Sequence, residues 1–125
     1  MDLVLAITGD SHYHDWCLFS KVVRDELERF PASRMVTGDS HGSDVMAYRY
    51  ATEHGIPIRV VSRDLLAKTA QRVLLFDGGD TESAEIRADA EEQGIELEVW
   101  NIHKFSGAGT ALAGEPINLA GGALV

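Results

Sequence analysis

The sequence predicts an α/β protein built on a doubly wound, mainly parallel five-stranded sheet with helices on both faces. Short apolar runs rich in β-branched residues alternate along the chain with longer segments whose apolar residues recur at helical spacing. The pentapeptide Thr-Gly-Asp-Ser-His also occurs twice without change, at residues 8–12 and 37–41, and follows an apolar run each time. Strands that alternate with helices pair in parallel through right-handed connections, so we expect a Rossmann-like fold.

The first half of the chain predicts three strands and two helices. Residues 3–8 are apolar and β-branched, which suits a strand buried on both faces. Residues 16–30 carry apolar side chains at helical spacing, and Pro31 ends that helix. A second helix ends before Gly55, a typical C-terminal cap. The remaining elements of this half are the strands at residues 34–37 and 58–61 and the helix at residues 43–54.

The second half predicts two more strands and one long helix. Residues 72–76 are an apolar run that suits the fourth strand. The helix at residues 83–93 follows it and ends before Gly94. Residues 65–70 are either a short helix or a connection, and residues 97–100 form the fifth strand.

Length, charge and composition limit the classes of protein. With 125 residues the chain suits one domain, which we place at residues 1–103; a Gly/Ala-rich tail at residues 104–125 either is disordered or packs on a partner subunit. A net charge of −9 argues against nucleic acids and membranes as partners. The single Cys17 excludes an internal disulfide, and no stretch approaches the ~20 apolar residues of a membrane helix. We expect a cytoplasmic protein that meets small molecules.

The strand order of such a sheet places three polar turns side by side. Strand one lies between strands two and four, so the turns after these strands meet at the carboxyl edge, where ligands of this fold bind. Each turn contains glycine and aspartate and leads into a helix whose N-terminus attracts anions. The predicted ligand-binding residues are Thr8, Gly9, Asp10, Ser11 and His12 in the first turn, Gly38, Asp39, Ser40, His41, Gly42, Ser43 and Asp44 in the second, and Gly78, Gly79, Asp80, Thr81 and Ser83 in the third.

A phosphate group is the ligand that these turns suit best. Glycines let the backbone approach closely, and serine and threonine hydroxyls can donate to phosphate oxygens. For Ser43 and Ser83, N-capping of the following helix is an equally good explanation. Tyr13 in the first turn is predicted either to stack on a base or to be exposed, whereas Tyr48 is predicted to pack in the core. Arg63, after strand three, is the one cation that we place near the strand ends.

The central turn and its surroundings resemble a known family. Residues 38–44, Gly-Asp-Ser-His-Gly-Ser-Asp, precede a helix and a Gly-Ile-Pro sequence at residues 55–57. They are similar to the Gly-Gly-Ala-Arg-Gly-Ala-Asp signature of the YspA-like proteins of the SLOG superfamily, which are related to DprA and LOG proteins. The resemblance covers roughly residues 3–102. It implies a Rossmann-like domain that binds a nucleotide or nucleotide-derived ligand as a sensor or sequestering module, and it implies a homodimer.

The chain departs from the family pattern in ways that change the charge of the turns. Ser11 or His12, and then His41, stand where the family carries arginine, and Asp39 replaces the second glycine of the signature. Histidine is only partly charged near neutral pH, and aspartates in all three turns would repel a bare phosphate. Carboxylates suit ribose hydroxyls, and they also suit Mg²⁺ or another divalent metal that accompanies a diphosphate. A metal entering with the nucleotide is therefore the one cofactor that the residues suit.

A metal-dependent phosphoesterase is the first alternative function. Residues 38–42 resemble the Gly-Asp-x-His-Gly motif of those enzymes. Two carboxylates and two imidazoles on neighbouring turns would suit a metal that activates water. The short chain and the missing Gly-Asn-His element argue against this function. The candidate metal ligands are Asp10, His12, Asp39 and His41.

An N-glycosidic hydrolase is the second alternative. LOG proteins cleave the N-glycosidic bond of nucleoside monophosphates, and a similar reaction here needs a carboxylate that stabilises an oxocarbenium-like transition state. Residues 78–85 match the family's glycine, threonine and acid pattern poorly, so enzyme activity stays open at this point. The candidate catalytic carboxylates are Asp44, Glu82 and Glu85.

Overall fold

The computed structural model describes residues 3–102 and the backbone of residues 116–117. In these residues six strands form one sheet in the order β3-β2-β1-β4-β5-β6, with β1 to β5 parallel and β6 antiparallel to β5. The strands are β1 (Val4–Gly9), β2 (Arg34–Thr37), β3 (Ile58–Val60), β4 (Arg72–Asp77), β5 (Glu96–Asn101) and β6 (Pro116–Ile117). The helices are α1 (Trp16–Arg29), α2 (Ser43–Glu53), α3 (Leu66–Thr69) and α4 (Thr81–Gln93), and a 3₁₀ turn at Arg63–Leu65 precedes α3.

The predicted α/β fold is confirmed, and the differences are local. Helix α4 starts two residues earlier than expected because the Asp80 side chain caps it by accepting from the Ser83 N–H at 3.3 Å. Strand β6 was not predicted, and it comes from the Gly/Ala-rich segment that we expected to be a tail. Apart from these two residues, the predicted tail lies outside the described part of the chain. The division into residues 1–103 and a tail stays a prediction.

Two apolar layers hold helices on both faces of the sheet. Helices α1 and α2 pack on one face through an apolar cluster that includes Phe19, Ala47 and, from β1, Leu5 and Ile7. Helices α3 and α4 pack on the other face through Leu66 and Ile86. Every residue of β1 is buried, as its continuous apolar run predicts for a central parallel strand. Within residues 3–102, no helix is long and apolar enough to cross a membrane.

A buried cluster of charges closes the amino edge of the sheet, opposite the three turns. Arg72, the first residue of β4, donates from Nε to Glu26 Oε2 at 2.5 Å and from Nη2 to Glu98 Oε1 at 3.0 Å. Arg29 Nη2 donates to both carboxylates. Burial and a hydrogen bond with Glu98 raise the pKa of Glu26 to about 7. Burial opposes ionisation of Glu98 too, but the bond with Glu26 and the Arg29 charge lower its pKa.

Replacement of Glu26 by glutamine should remove part of the pH dependence of stability. The folded protein holds the Glu26 proton up to about pH 7, whereas an ordinary glutamate releases it near 4.5. The folded state therefore binds more protons in this window, and Glu26 makes stability fall as pH rises through it. Because the pKa of Glu98 is lowered, its ionisation changes the stability only below this pH range. We expect urea unfolding of the native chain to show a fall of on the order of 1–3 kcal/mol between pH 5 and 8 that Glu26→Gln lacks. An equal fall in both proteins would contradict the assignment.

Candidate functional site

The three polar turns meet at the carboxyl edge, as the strand order predicts. We call residues 10–14 turn 1, residues 38–42 turn 2 and residues 78–80 turn 3. The Ser43 N–H and hydroxyl, at the start of α2, both donate to the Asp10 carbonyl oxygen, at 3.2 and 3.0 Å. Gly78 of turn 3 lies so close to turn 1 that a Cβ there would be 1.9 Å from Asp10 Oδ2. Asp10 thus contacts both neighbouring turns.

Gly42 allows turn 2 to pack directly on turn 1. Its φ is +61°, and a Cβ at this position would lie 2.5 Å from the backbone C and O of Ser11. Both the conformation and the space therefore require glycine. The sequence suggested that this glycine admits a phosphate, but its immediate neighbour in the structure is the backbone of turn 1.

Asp44 is a buried junction between two strands and turn 2. Its side chain is 1% exposed. Oδ1 accepts from the hydroxyls of Thr8 at 2.6 Å and Thr37 at 3.2 Å. Oδ2 accepts from the Ser40 N–H at 3.1 Å and from Arg63 Nη2 at 3.1 Å. Asp44 and Thr8, both predicted to contact ligand, therefore face inward, and the Asp44 carboxylate is engaged on both oxygens.

Arg63 carries a positive charge into the middle of the three turns. Its Nη2 also donates to the Gly9 carbonyl at 2.6 Å, at the end of β1. Its Nη1 donates to Glu82 Oε1 at 3.1 Å, at the start of α4. The Arg63 side chain is 14% exposed, whereas Glu82 is 51% exposed. The expected position of Arg63 near the strand ends is confirmed, and the guanidinium has one well-buried carboxylate partner and one accessible partner.

Turn 3 is held by the carboxylates of Asp80 and of Asp77, the last residue of β4. Asp80 Oδ1 accepts from the Ser83 hydroxyl at 2.6 Å, and Asp77 Oδ1 accepts from the Gly79 N–H at 2.7 Å. Ser83 is fully buried, so its hydroxyl serves the helix start. Neither Ser43 nor Ser83 is an N-cap: Gly42 occupies that position in α2 and Asp80 in α4.

Several predicted ligand contacts are accessible. The exposed residues include one histidine from each of turns 1 and 2, His12 and His41. Asp39 and Thr81 are also exposed. Ser11, Ser40 and Gly78 are half-buried, and Gly79 is exposed. These groups, with Glu82 and Glu85 on the exposed side of α4, make up the polar surface of the site.

The structure does not assemble the four-residue metal set. His12 Nδ1 lies 3.5 Å from Asp10 Oδ1. Within the described ranges, however, no three histidine, cysteine, aspartate or glutamate side chains come close enough together to hold a metal ion. The phosphoesterase alternative therefore gains no support from the geometry.

A groove of about 460 Å³ extends from turn 2 along the outer side of α2. Asp39 and Ser40 line one end of it. Val45, Tyr48 and Val60 line the rest, and they are 55%, 51% and 48% exposed. Another cavity, of about 340 Å³, lies at the opposite edge of the sheet by the first residues of β1, β2 and β3, away from the turns.

The environments predicted for Tyr13 and Tyr48 were both wrong. Tyr13 stacks on Phe76 with ring centroids 5.7 Å apart and joins the apolar cluster beneath α1 and α2, and burial raises its pKa. Tyr48 was expected in the core but faces the groove. The sequence signal for the groove is the i, i+3 spacing of Val45 and Tyr48, which places both on one side of α2.

The fold and the position of the turns define an α/β protein of the Rossmann-like class with its polar site at the carboxyl edge. The model of a family described as the YspA, cpYpsA-related SLOG family (YAcAr) matches residues 3–67. The match covers just over half of the chain, and the chain belongs to this family. The matched segment contains turns 1 and 2 and Arg63, whereas turn 3 lies beyond it. Comparison with curated proteins and with solved structures gave no significant match.

Gly42→Ala should destabilise the protein much more than Gly94→Ala. Both glycines have φ above +60°, so both alanine variants carry the strain of a left-handed backbone, about 1–2 kcal/mol. At Gly94 a methyl group would have no atom within 4 Å, whereas a methyl group at residue 42 overlaps turn 1. We expect Gly42→Ala to lower the free energy of unfolding in urea by about 2 kcal/mol more than Gly94→Ala. Equal losses would mean that turns 1 and 2 do not pack together as described.

Proposed function

We propose that this protein binds a nucleotide or nucleotide-derived ligand at the carboxyl ends of β1, β2 and β4, as a sensor or sequestering module. The observation that carries the proposal is the position of Arg63 among three glycine-containing turns. Its buried bonds to Asp44 and Gly9 hold the guanidinium in place. Its bond to Glu82, which is half exposed, is the one that an incoming anion can replace. Membership of the SLOG family is consistent with a nucleotide-related function.

A phosphate group is a better partner for Arg63 than Glu82 is. An ion pair with a half-exposed glutamate contributes between 0 and about 1 kcal/mol, because water competes for both charges. A phosphate carries more charge and offers several oxygens to the planar guanidinium. Once Glu82 is displaced, the phosphate can accept the hydrogen bond that Arg63 Nη1 otherwise donates to Glu82. The glycines and exposed hydroxyls beside it supply further contacts.

The acidic residues around Arg63 favour a phosphate that carries a divalent cation. Asp39, Asp10 and Asp80 lie in the three turns and would repel a bare diphosphate. We propose that Mg²⁺ or a similar divalent ion enters together with the ligand, bound mainly by phosphate oxygens, as Mg²⁺ usually is in proteins. One or two of the exposed carboxylates would then complete the coordination shell of the metal ion.

Hydrolysis has less support than binding. The Asp44 carboxylate would have to break five hydrogen bonds before it could face a substrate. Glu82 and Glu85 are exposed and remain available. A carboxylate on the surface of a helix can contact a ligand, but a general acid or base must also be held within hydrogen-bond reach of the reacting group.

The first test is ligand binding without turnover. Purified protein is heated with AMP, ADP, GDP, NAD, ADP-ribose or a cyclic dinucleotide, each with and without Mg²⁺, and each mixture is then separated by chromatography. We expect at least one compound to raise the melting temperature and to be recovered intact. Release of free base or inorganic phosphate would make the protein an enzyme, and no stabilisation by any compound would refute the proposal.

Glu82→Gln should tighten the binding of ADP. The substitution frees Arg63 Nη1 from a competing carboxylate and removes one negative charge. Glu85→Gln is the matched control, because it removes the same charge from the same exposed side of α4 without touching Arg63. By isothermal titration calorimetry we expect Glu82→Gln to raise the affinity for ADP roughly three- to tenfold, and the control to raise it less. Equal effects of the two substitutions would show that Arg63 does not meet the phosphate.

A further inference from the structure

We propose that the groove beside turn 2 seats the nucleoside part of the ligand, with the base on Tyr48 and the ribose at Asp39. This inference rests on the proposed function and adds the position of the base and the sugar. The groove brings a cavity, the aromatic ring of Tyr48 and the exposed carboxylate of Asp39 together at turn 2, one of the predicted ligand turns.

The apolar half of the groove has the shape and chemistry that a flat heterocycle needs. Four large apolar side chains are prominently exposed among the described residues, and three of them, Val45, Tyr48 and Val60, line this groove. Such a concentration on the surface of a small protein is typical of a binding site. A tyrosine ring stacks on any base, and the two valines can hold its edges.

The arrangement of α2 and β3 explains why these side chains are uncovered. Helix α2 packs on the sheet through Met46, Ala47 and Tyr50, so Val45 and Tyr48 lie towards its outer side. Strand β3 is only three residues long and is the edge of the sheet, and its last residue, Val60, forms the other wall. The groove is therefore open on the side away from the rest of the sheet.

The polar end of the groove faces the position where we place the phosphate. Asp39 and Ser40 belong to turn 2, and Asp44, which also borders the groove, binds Arg63 directly. An acidic residue just beyond strand two is where dinucleotide-binding folds bind a ribose hydroxyl. A ligand with its phosphate at Arg63 would pass its ribose over Asp39. The volume of about 460 Å³ lies within the usual range for small-molecule sites.

Tyr48→Ala and Asp39→Ala test the two contacts separately, with ADP, GDP and 2′-deoxy-ADP as probes in isothermal titration. Tyr48→Ala, which removes the ring, should weaken the binding of ADP and of GDP by roughly tenfold. Tyr48→Phe, which keeps the ring, should retain most of the affinity. Leu65→Ala is the matched control, because it removes an exposed apolar side chain that does not line the groove. The native chain should prefer ADP over 2′-deoxy-ADP, and Asp39→Ala should abolish that preference.

The outcomes separate this inference from the proposed function. If the nucleotides bind the native chain but Tyr48→Ala and Leu65→Ala behave alike, the groove is not the base site and the proposed function stands. If no nucleotide binds the native chain, both are refuted. If light scattering shows that Tyr48→Ala loses self-association while nucleotide affinity is unchanged, the apolar side chains form an interface between copies of the chain and the inference is wrong.

Discussion

The ion pair between Asp44 and Arg63 is the interaction on which the carboxyl edge of the sheet depends. One buried carboxylate accepts hydrogen bonds from β1, β2 and turn 2, and the guanidinium that neutralises it also binds the last carbonyl of β1. Removing one member of a buried pair leaves an uncompensated charge, which is strongly destabilising. We therefore expect loss of either side chain to loosen turn 2 and the ends of β1 and β2, which this pair connects.

The same ion pair changes the electrostatics of a chain with a net charge of −9. Family members of the kind that the sequence resembles carry arginine within the turns, whereas this chain has serine, histidine and aspartate there. Its cation comes from Arg63, which follows the third strand and lies outside the turns in sequence. Glu82 neutralises part of that charge in the free protein. One guanidinium is thus shared between two carboxylates in acidic surroundings, so a ligand bound as we propose must compete with a carboxylate for Arg63.

The two edges of the sheet show how exposure decides what a charged cluster can do. At the amino edge, Glu26 is fully buried between two arginines and Glu98, so its charge state is tied to folding. At the carboxyl edge, Glu82 is half exposed and can leave Arg63 without opening the core. Similar ion pairs therefore tie charge to folding at one edge and leave a solvent-accessible partner at the other.

The sequence by itself determined the α/β fold, the order of the elements and the meeting of three Gly-Asp turns, because apolar periodicity and right-handed connections constrain topology strongly. It also placed Arg63 near the strand ends. Only the tertiary structure decided which polar groups face inward: Asp44, Ser43 and Ser83 belong to internal hydrogen bonds, and Tyr13 and Tyr48 exchange their expected environments. These outcomes depend on contacts between residues far apart in the chain, such as Thr8 with Asp44, and local pattern carries no information about such contacts.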